Sequence, residues 1–264
     1  MKLALKIDVA TLRGTRDAVP RIAEVLKRHA ADATFLFSLG PDRSGLHGKL
    51  APAPQLGRRC EAVMRATREA GFEVGMHAWD PRWWSAHVAA GDAQRTGWQM
   101  QLASQRFHEV FGEAPQVHGA PGWHMNVHAF RCTQSMGFLY ASDTLGTHPF
   151  IPVVRAEIVA CPQFPTTLPT LDEAPPEKVL ERSGAERRDH VFTLRSESFR
   201  AEAFEKILAG WKEQGYALSS LRTVAGATNI AALPLHDVVE EATPGRSGWH
   251  SVQGPGFLER NSAP

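Results

Sequence analysis

Short apolar runs alternate with amphipathic stretches along most of the chain. Residues 3–7, 34–38 and 72–76 are apolar runs of strand length, whereas 17–31 and 56–70 carry apolar residues at the three- and four-residue spacing of a helix. This alternation is typical of a parallel sheet whose strands are joined by helices.

The same pattern continues to about residue 224. It predicts further helices over 93–111, 127–136, 177–182 and 199–214, and further strands over 116–119, 138–141, 191–194 and 216–218. About seven strand–helix units result, and no Gly-x-Gly-x-x-Gly motif favours an open doubly wound sheet. We therefore expect residues 1–224 to form one closed or nearly closed (β/α) barrel.

The pattern fades after residue 224. Prolines, glycines and polar residues dominate 225–264, so we expect an irregular tail with a mobile end over the last ten residues. The tail is predicted to pack on the barrel through its few apolar side chains, which are Leu233, Leu235, Val238, Val239 and Trp249.

Composition and charge narrow the function classes. The 264 residues carry 29 basic and 28 acidic side chains, so nothing electrostatic favours a nucleic-acid partner. No run approaches the ~18 apolar residues of a membrane span, and no secretory signal is predicted. The three cysteines are far apart in sequence, which favours a reduced cytoplasmic protein with free thiols.

Polar residues follow five of the predicted strands. In a parallel barrel the carboxyl ends of the strands meet at one face, so these residues are expected to share a pocket. They are Asp8, His77 with Asp80, Trp123 with His124, Ser142 with Asp143, and Arg195 with Glu197.

Several of these residues lie in segments that resemble the NodB-homology polysaccharide deacetylases. The segments are KIDVATLRGT at 6–15, FSLGPD at 37–42, VGMHAWD at 74–80, APGW at 120–123, YASD at 140–143, TLPTLDE at 167–173, LPLH at 233–236 and PGRSGW at 244–249. Within that family, they are most similar to the branch that deformylates 4-deoxy-4-formamido-L-arabinose-phosphoundecaprenol. The resemblance covers nearly the whole chain in the same order.

The resemblance implies a distorted seven-stranded (β/α) barrel that hydrolyses the amide of an N-formyl or N-acetyl amino sugar. A divalent metal (Zn²⁺, Co²⁺ or Mn²⁺) is expected from the family, with Asp8 as the general base and His77 as a metal ligand. Arg13 and Asp143 occupy family-like polar positions and are expected to bind substrate, as is Glu197. Trp79 and Trp123 are expected to stack on sugar rings.

Three positions depart from the family pattern. The carboxylate ligand two residues after Asp8 is replaced by Ala10, and the second imidazole, four residues after His77, is replaced by Pro81. Arg195 stands where the family has its acid histidine. An arginine does not deprotonate near neutral pH, so it cannot replace this histidine as the general acid.

These departures leave three hypotheses open. The first is a divergent hydrolase with an altered or relocated metal site, for which His124 and His148 are possible replacement ligands. The second is a non-catalytic descendant that binds a glycan or regulates a related enzyme. The third is an enzyme that uses Asp8 without a metal, with Arg195 as an electrostatic clamp.

The segment that would meet a lipid carrier is short. The deformylase branch has a longer apolar insertion before the third strand, where this chain has only residues 43–71, rich in alanine, proline and arginine. A soluble or smaller carbohydrate substrate is therefore expected, with peripheral membrane contact and the oligomeric state left open.

Overall fold

The computed structural model describes residues 1–44, 52–243 and 248–257. The strands are β1 (Lys2–Val9), β2 (Thr34–Phe37), β3 (Glu73–Met76), β4 (Val117–His118), β5 (Tyr140–Ala141), β6 (Ile151–Val154), β7 (Glu157–Ile158), β8 (His190–Arg195), β9 (Ala217–Ser219), β10 (Leu235–Ala242) and β11 (Trp249–Gly256). The α-helices are α1 (Val19–Arg28), α2 (Leu56–Arg59), α3 (Glu61–Glu69), α4 (Pro81–His87), α5 (Ala93–Phe111), α6 (Val127–Ser135), α7 (Pro176–Ala185), α8 (Ala201–Glu213) and α9 (Leu221–Gly226).

The central sheet is parallel and nearly closed. Its strands run in the order β5-β4-β3-β2-β1-β8, and β9 pairs with the start of β1. An irregular segment bridges the open side between β5 and β8. In it, the Pro162 carbonyl accepts a hydrogen bond from the Ala141 amide at 2.9 Å, and the Thr167 amide donates to the Val191 carbonyl at 3.0 Å. The predicted parallel α/β barrel is confirmed.

Alternation along β1 separates the two layers of the core. Leu3, Leu5 and Ile7 are fully buried in the cluster between the sheet and the helices. Ala4, in contrast, packs in a second cluster with residues of β2, β4, β5 and β8. Because successive strand residues face opposite sides, Lys6 and Asp8 share the face of Ala4, inside the barrel.

The C-terminal extension differs from the irregular tail expected for 225–264. β10 and β11 form an antiparallel pair, which joins β6 and β7 in a second sheet of order β11-β10-β6-β7. The Leu145 amide donates to the Ser251 carbonyl at 3.0 Å, and the Gln253 amide donates to the Leu145 carbonyl at 2.8 Å. Pairing with the barrel thus orders a segment whose glycines, prolines and charges indicated no strand. Most of the end expected to be mobile, residues 258–264, lies outside the described residues.

Helix α4 was not among the expected elements. The Asp80 carboxylate accepts hydrogen bonds from the amides of Arg82 (3.1 Å) and Trp83 (2.9 Å), and Pro81 occupies the first turn. This is the chemistry that starts a helix. Pro81, which replaces the second histidine of the family motif, is therefore favourable in the first turn of α4.

Among the described residues, the helices include none that is both long and apolar enough to cross a bilayer. The three cysteines are free thiols, as expected, and Cys60 and Cys161 are buried.

Candidate active site

A cavity of about 610 Å³ opens at the carboxyl ends of the strands. It collects side chains from β1, β8, β11 and the loops that follow the strands. Its lining includes Asp8, Ala10, His77, Pro81, Trp123, His124, Arg195, Glu197 and His250, together with Arg43, Arg82 and Asp172. Of the strand-end residues, this cavity brings together Asp8, His77, Trp123, His124, Arg195 and Glu197. Asp80, Ser142 and Asp143 do not line it.

Asp8 lies at the inner end of this cavity beside a buried lysine. Its Oδ1 is 3.7 Å from the Lys6 Nζ, and both side chains are almost fully buried. The Lys6 ammonium also donates a hydrogen bond to the Ser142 carbonyl at 2.8 Å and lies 5.5 Å from the centre of the Trp123 ring. The cation is therefore held firmly by groups other than Asp8.

Burial raises the pKa of Asp8 to about 6, although the charges of Lys6 and Arg195 act in the opposite direction. Among the described residues, Oδ1 has no hydrogen-bond partner. A carboxylate that is this basic can accept a proton from a water molecule near neutral pH.

His77 presents a neutral imidazole to the cavity. Its Nδ1 lies 2.5 Å from the Gly119 carbonyl, which can only accept, so Nδ1 carries the proton and Nε2 a lone pair. Burial, aided by the charge of Lys6, lowers the pKa of His77 to about 3. His77 is therefore a hydrogen-bond acceptor at physiological pH.

Glu197 is hydrogen-bonded to the loop that follows β1. Its Oε1 accepts hydrogen bonds from the Ala10 amide (3.1 Å), the Thr11 hydroxyl (2.9 Å) and the Ser196 hydroxyl (3.1 Å). These bonds hold the loop against the end of β8. Glu197 lines the cavity, but this oxygen is occupied by the loop.

Arg195 lies beside Asp8, because the two are register partners in the β1–β8 pairing. The side chain of Arg195 is 55% exposed at the cavity mouth, where its Nε is 3.6 Å from Asp172 Oδ2. Asp172 also accepts a hydrogen bond from the Ser198 hydroxyl at 2.9 Å. A guanidinium in this place adds positive charge to the cavity without entering its buried floor.

Trp123 and two histidines lie together in one wall of the cavity. The His250 ring meets the Trp123 ring edge-on, with 6.3 Å between centroids, and lies 5.1 Å from the His124 ring. The Trp123 indole donates to the Thr166 hydroxyl at 3.0 Å. Burial lowers the pKa of His124, and the neighbouring His250 lowers it further. Sequence reasoning missed His250, since it lies in the segment expected to be an irregular tail.

Four residues expected at the site do not line the cavity. Arg13 is exposed, and Trp79 packs against the backbone of Gly40. Asp143 is fully buried, where its Oδ1 lies 2.7 Å from the Nδ1 of His118. His148 lies at the second sheet, with its Nε2 3.2 Å from the Nε2 of His236. His148 thus does not line the cavity that contains the other members of the predicted relocated site, Asp8, His77 and His124.

Residues 2–141 match the family model described as polysaccharide deacetylase. The chain belongs to this family. It is 26% identical, over 99% of its own length and 98% of the other, to a curated protein of Shewanella sediminis named as a 4-deoxy-4-formamido-L-arabinose-phosphoundecaprenol deformylase.

Solved structures of the family share the fold. The crystal structure of a polysaccharide deacetylase from Mycobacterium smegmatis superposes with a TM-score of 0.67 at 16% identity, covering 92% of this chain and 95% of that one. A CE4-family pseudoenzyme from Bacillus anthracis superposes with a TM-score of 0.59 at 15% identity, covering 85% of this chain and 65% of that one. A mutant of that pseudoenzyme is described as having restored enzymatic activity.

Deacetylases of this family are generally metal-dependent, but the residues present here do not fit the expected metal. Ala10 supplies a methyl group and Pro81 a saturated ring where the family pattern has a carboxylate and an imidazole. Within the described ranges, no group of three or more histidine, cysteine, aspartate or glutamate side chains is arranged to hold an ion. A catalytic Zn²⁺ site needs about three such ligands.

Proposed function

We propose that the cavity binds an N-formyl or N-acetyl amino sugar and that the protein hydrolyses its amide bond with Asp8 as the general base. The observation that carries this proposal is the Asp8 carboxylate, which lies in the cavity with its pKa raised to about 6 in a chain of the polysaccharide deacetylase family. The relatives named as deformylases favour a formyl or acetyl group on the nitrogen.

The reaction begins with proton removal from water. Asp8 takes the proton while the water oxygen adds to the carbonyl carbon of the amide, and the carbonyl oxygen becomes an oxyanion. The Arg195 guanidinium, beside Asp8 on the neighbouring strand, supplies positive charge that stabilises this oxyanion.

The same carboxyl group completes the reaction. Protonated Asp8 returns its proton to the amide nitrogen, the carbon–nitrogen bond breaks, and the products are the amino sugar and formic or acetic acid. Asp8 thus acts as base and then as acid, which replaces the missing acid histidine at position 195. Its pKa near 6 suits both steps at neutral pH.

Product analysis tests this function. Purified protein is incubated with N-formyl and N-acetyl amino sugars, free and lipid-linked, and released formate or acetate is measured by NMR. We expect release by the wild type and a loss of about 10²- to 10⁴-fold in Asp8→Asn. Asp42→Asn, in the same cavity lining but bonded to the Leu12 amide at 2.7 Å, serves as the carboxylate control.

A second candidate function is carbohydrate binding without hydrolysis. Ala10, Pro81 and Arg195 favour it, because together they remove the family's metal ligands and acid. In the same experiment this function predicts that the sugars bind, that no acid is released, and that Asp8→Asn binds as well as the wild type.

The partner in either case is a carbohydrate. The near-neutral charge gives no support for nucleic acid, and the three separate thiols favour a reducing, cytoplasmic setting. Comparison of free and lipid-linked sugars in the assay tests whether a lipid carrier is recognised.

A further inference from the structure

The buried ring of His250 has one nitrogen, Nε2, that forms no hydrogen bond with the described residues. Its Nδ1 lies 2.8 Å from the Gly122 carbonyl, which can only accept a hydrogen bond. The Nδ1 atom therefore carries the proton in the neutral ring, and Nε2 is left with a lone pair. Among the described residues, no group forms a hydrogen bond with that Nε2, although the side chain is almost fully buried.

An unsatisfied buried acceptor costs free energy unless a ligand or water supplies a donor. His250 lines the cavity, so a molecule bound there lies next to this side chain. The centroid of the His124 ring lies 5.1 Å from that of the His250 ring, and His124 forms no hydrogen bond with this Nε2.

The side chains next to His250 indicate which class of ligand supplies the donor for Nε2. The ring of Trp123 meets His250 edge-on in the cavity lining, which places an aromatic side chain next to a hydrogen-bond acceptor. A sugar offers the complement, with apolar C–H groups on one face of its ring and hydroxyl donors at its edge. His124 also lines this wall, and its lowered pKa keeps cationic charge low here.

We propose that His250 is a substrate-recognition residue whose Nε2 accepts a hydrogen bond from a hydroxyl group of the sugar. The C-terminal extension thereby contributes directly to specificity, since β11 carries His250 into a cavity otherwise built by the barrel. This assignment rests on the proposed function, because it takes an N-acylated amino sugar as the ligand.

The chain offers a matched pair of variants. His250→Asn retains an amide N–H in place of Nδ1 for the Gly122 carbonyl and removes the Nε2 acceptor. His236, on the neighbouring strand β10, makes the equivalent bond from Nδ1 to the Gly254 carbonyl at 2.8 Å, but its Nε2 faces His148 outside the cavity. His236→Asn is therefore the control for a lost imidazole in the same sheet, and His250→Phe is a second test that fills the space.

The experiment measures binding of N-acetylglucosamine and of its monodeoxy analogues by NMR titration. For the wild type, one deoxy analogue should bind about three- to tenfold more weakly than the parent sugar. His250→Asn and His250→Phe should lose this discrimination, whereas His236→Asn should keep it. Thermal unfolding of each variant shows that the fold is retained.

Two results would overturn the assignment, and they are distinguishable. If the wild type binds these sugars but the His250 variants keep its discrimination, then water alone satisfies Nε2 and only the role of His250 is lost. If folded wild-type protein binds no N-acylated amino sugar, the proposed function fails and the assignment fails with it.

Discussion

The Lys6 ammonium lies 3.7 Å from the Asp8 carboxylate, inside a parallel barrel. The two residues are two positions apart on β1, so the strand's alternation alone puts them on the same inner face. Burial and the lysine act on Asp8 in opposite directions, and burial is the larger effect. The resulting carboxyl group is more basic than an ordinary aspartate and still ionises near neutral pH.

Removing the lysine should make Asp8 still more basic. In Lys6→Met the attraction to the ammonium is lost, so the pKa of Asp8 rises further above 6. NMR titration of ¹³C-labelled aspartate carboxyl groups measures this pKa directly. Lys2→Met, at the other end of β1, is the control, and an unchanged Asp8 titration in Lys6→Met would contradict the assigned coupling.

Asp8 should reduce stability at neutral pH. Its pKa is raised on folding, from 3.8 to about 6, so the folded state binds this proton more tightly than the unfolded state. That contribution is full below pH 3.8 and is lost as the pH rises through 6. Asp8→Asn should therefore raise the free energy of unfolding by up to about 3 kcal/mol at pH 8, relative to its effect at pH 4.

Denaturant unfolding of both proteins at several pH values measures this difference. Asp17→Asn, at an exposed carboxylate outside the cavity, controls for the change of charge. A stability difference between Asp8→Asn and wild type that is the same at pH 4 and pH 8 would refute the raised pKa.

The titration of His77 should reduce the free energy of unfolding at acidic pH, whereas that of Asp8 reduces it at neutral pH. Its pKa falls on folding, from 6.5 to about 3, so its contribution to stability is present above pH 6.5 and is lost as the pH falls toward 3. His77→Asn keeps an N–H donor for the Gly119 carbonyl but does not titrate. Its free energy of unfolding should fall less steeply than that of the wild type from pH 6.5 to 4.

The exposed residue His87 provides the comparison for this experiment. His87→Asn should keep the steep acid dependence of the wild type. If His77→Asn keeps it too, His77 is not the group that protonates on unfolding.

Rebuilding the family's ligand set should create a metal site. Ala10→Asp, Pro81→His and Arg195→His together restore the family's carboxylate, second imidazole and acid histidine, and Asp80 remains to cap α4. We expect the triple variant to bind about one equivalent of Zn²⁺ in equilibrium dialysis, through one carboxylate and two imidazoles. The same triple variant with His77→Asn should lose that binding, and retention would show that the ion sits elsewhere.

The sequence predicts the barrel well because its signals are local. Apolar runs such as 34–38 and 72–76 become β2 and β3, and the long amphipathic stretch 93–111 is observed as α5 with the same bounds. The extension was harder to predict, since β10 and β11 are stabilised by pairing with β6 and with Leu145, contacts distant in sequence. Tertiary pairing of this kind overrides local strand propensity.

The candidate site could be predicted only in part for the same reason. Asp8, His77 and Arg195 lie at the carboxyl ends of strands of the barrel, so topology alone brings them to one cavity. His250 enters the cavity on β11 and could not be placed without that sheet. His148 follows a strand as well, but the chain turns there toward β10, and the histidine meets His236 instead.

Amide hydrolysis by metal-free protein, measured against pH, tests the central claim most directly. The wild type and Asp8→Asn are dialysed against a chelator, and release of formate or acetate from N-acylated amino sugars is followed between pH 4.5 and pH 8. The account predicts a wild-type rate that rises to a plateau as the pH passes about 6 and a rate at least about 10²-fold lower in Asp8→Asn. Release that appears only when a divalent metal is added back, or that persists in Asp8→Asn, would contradict it.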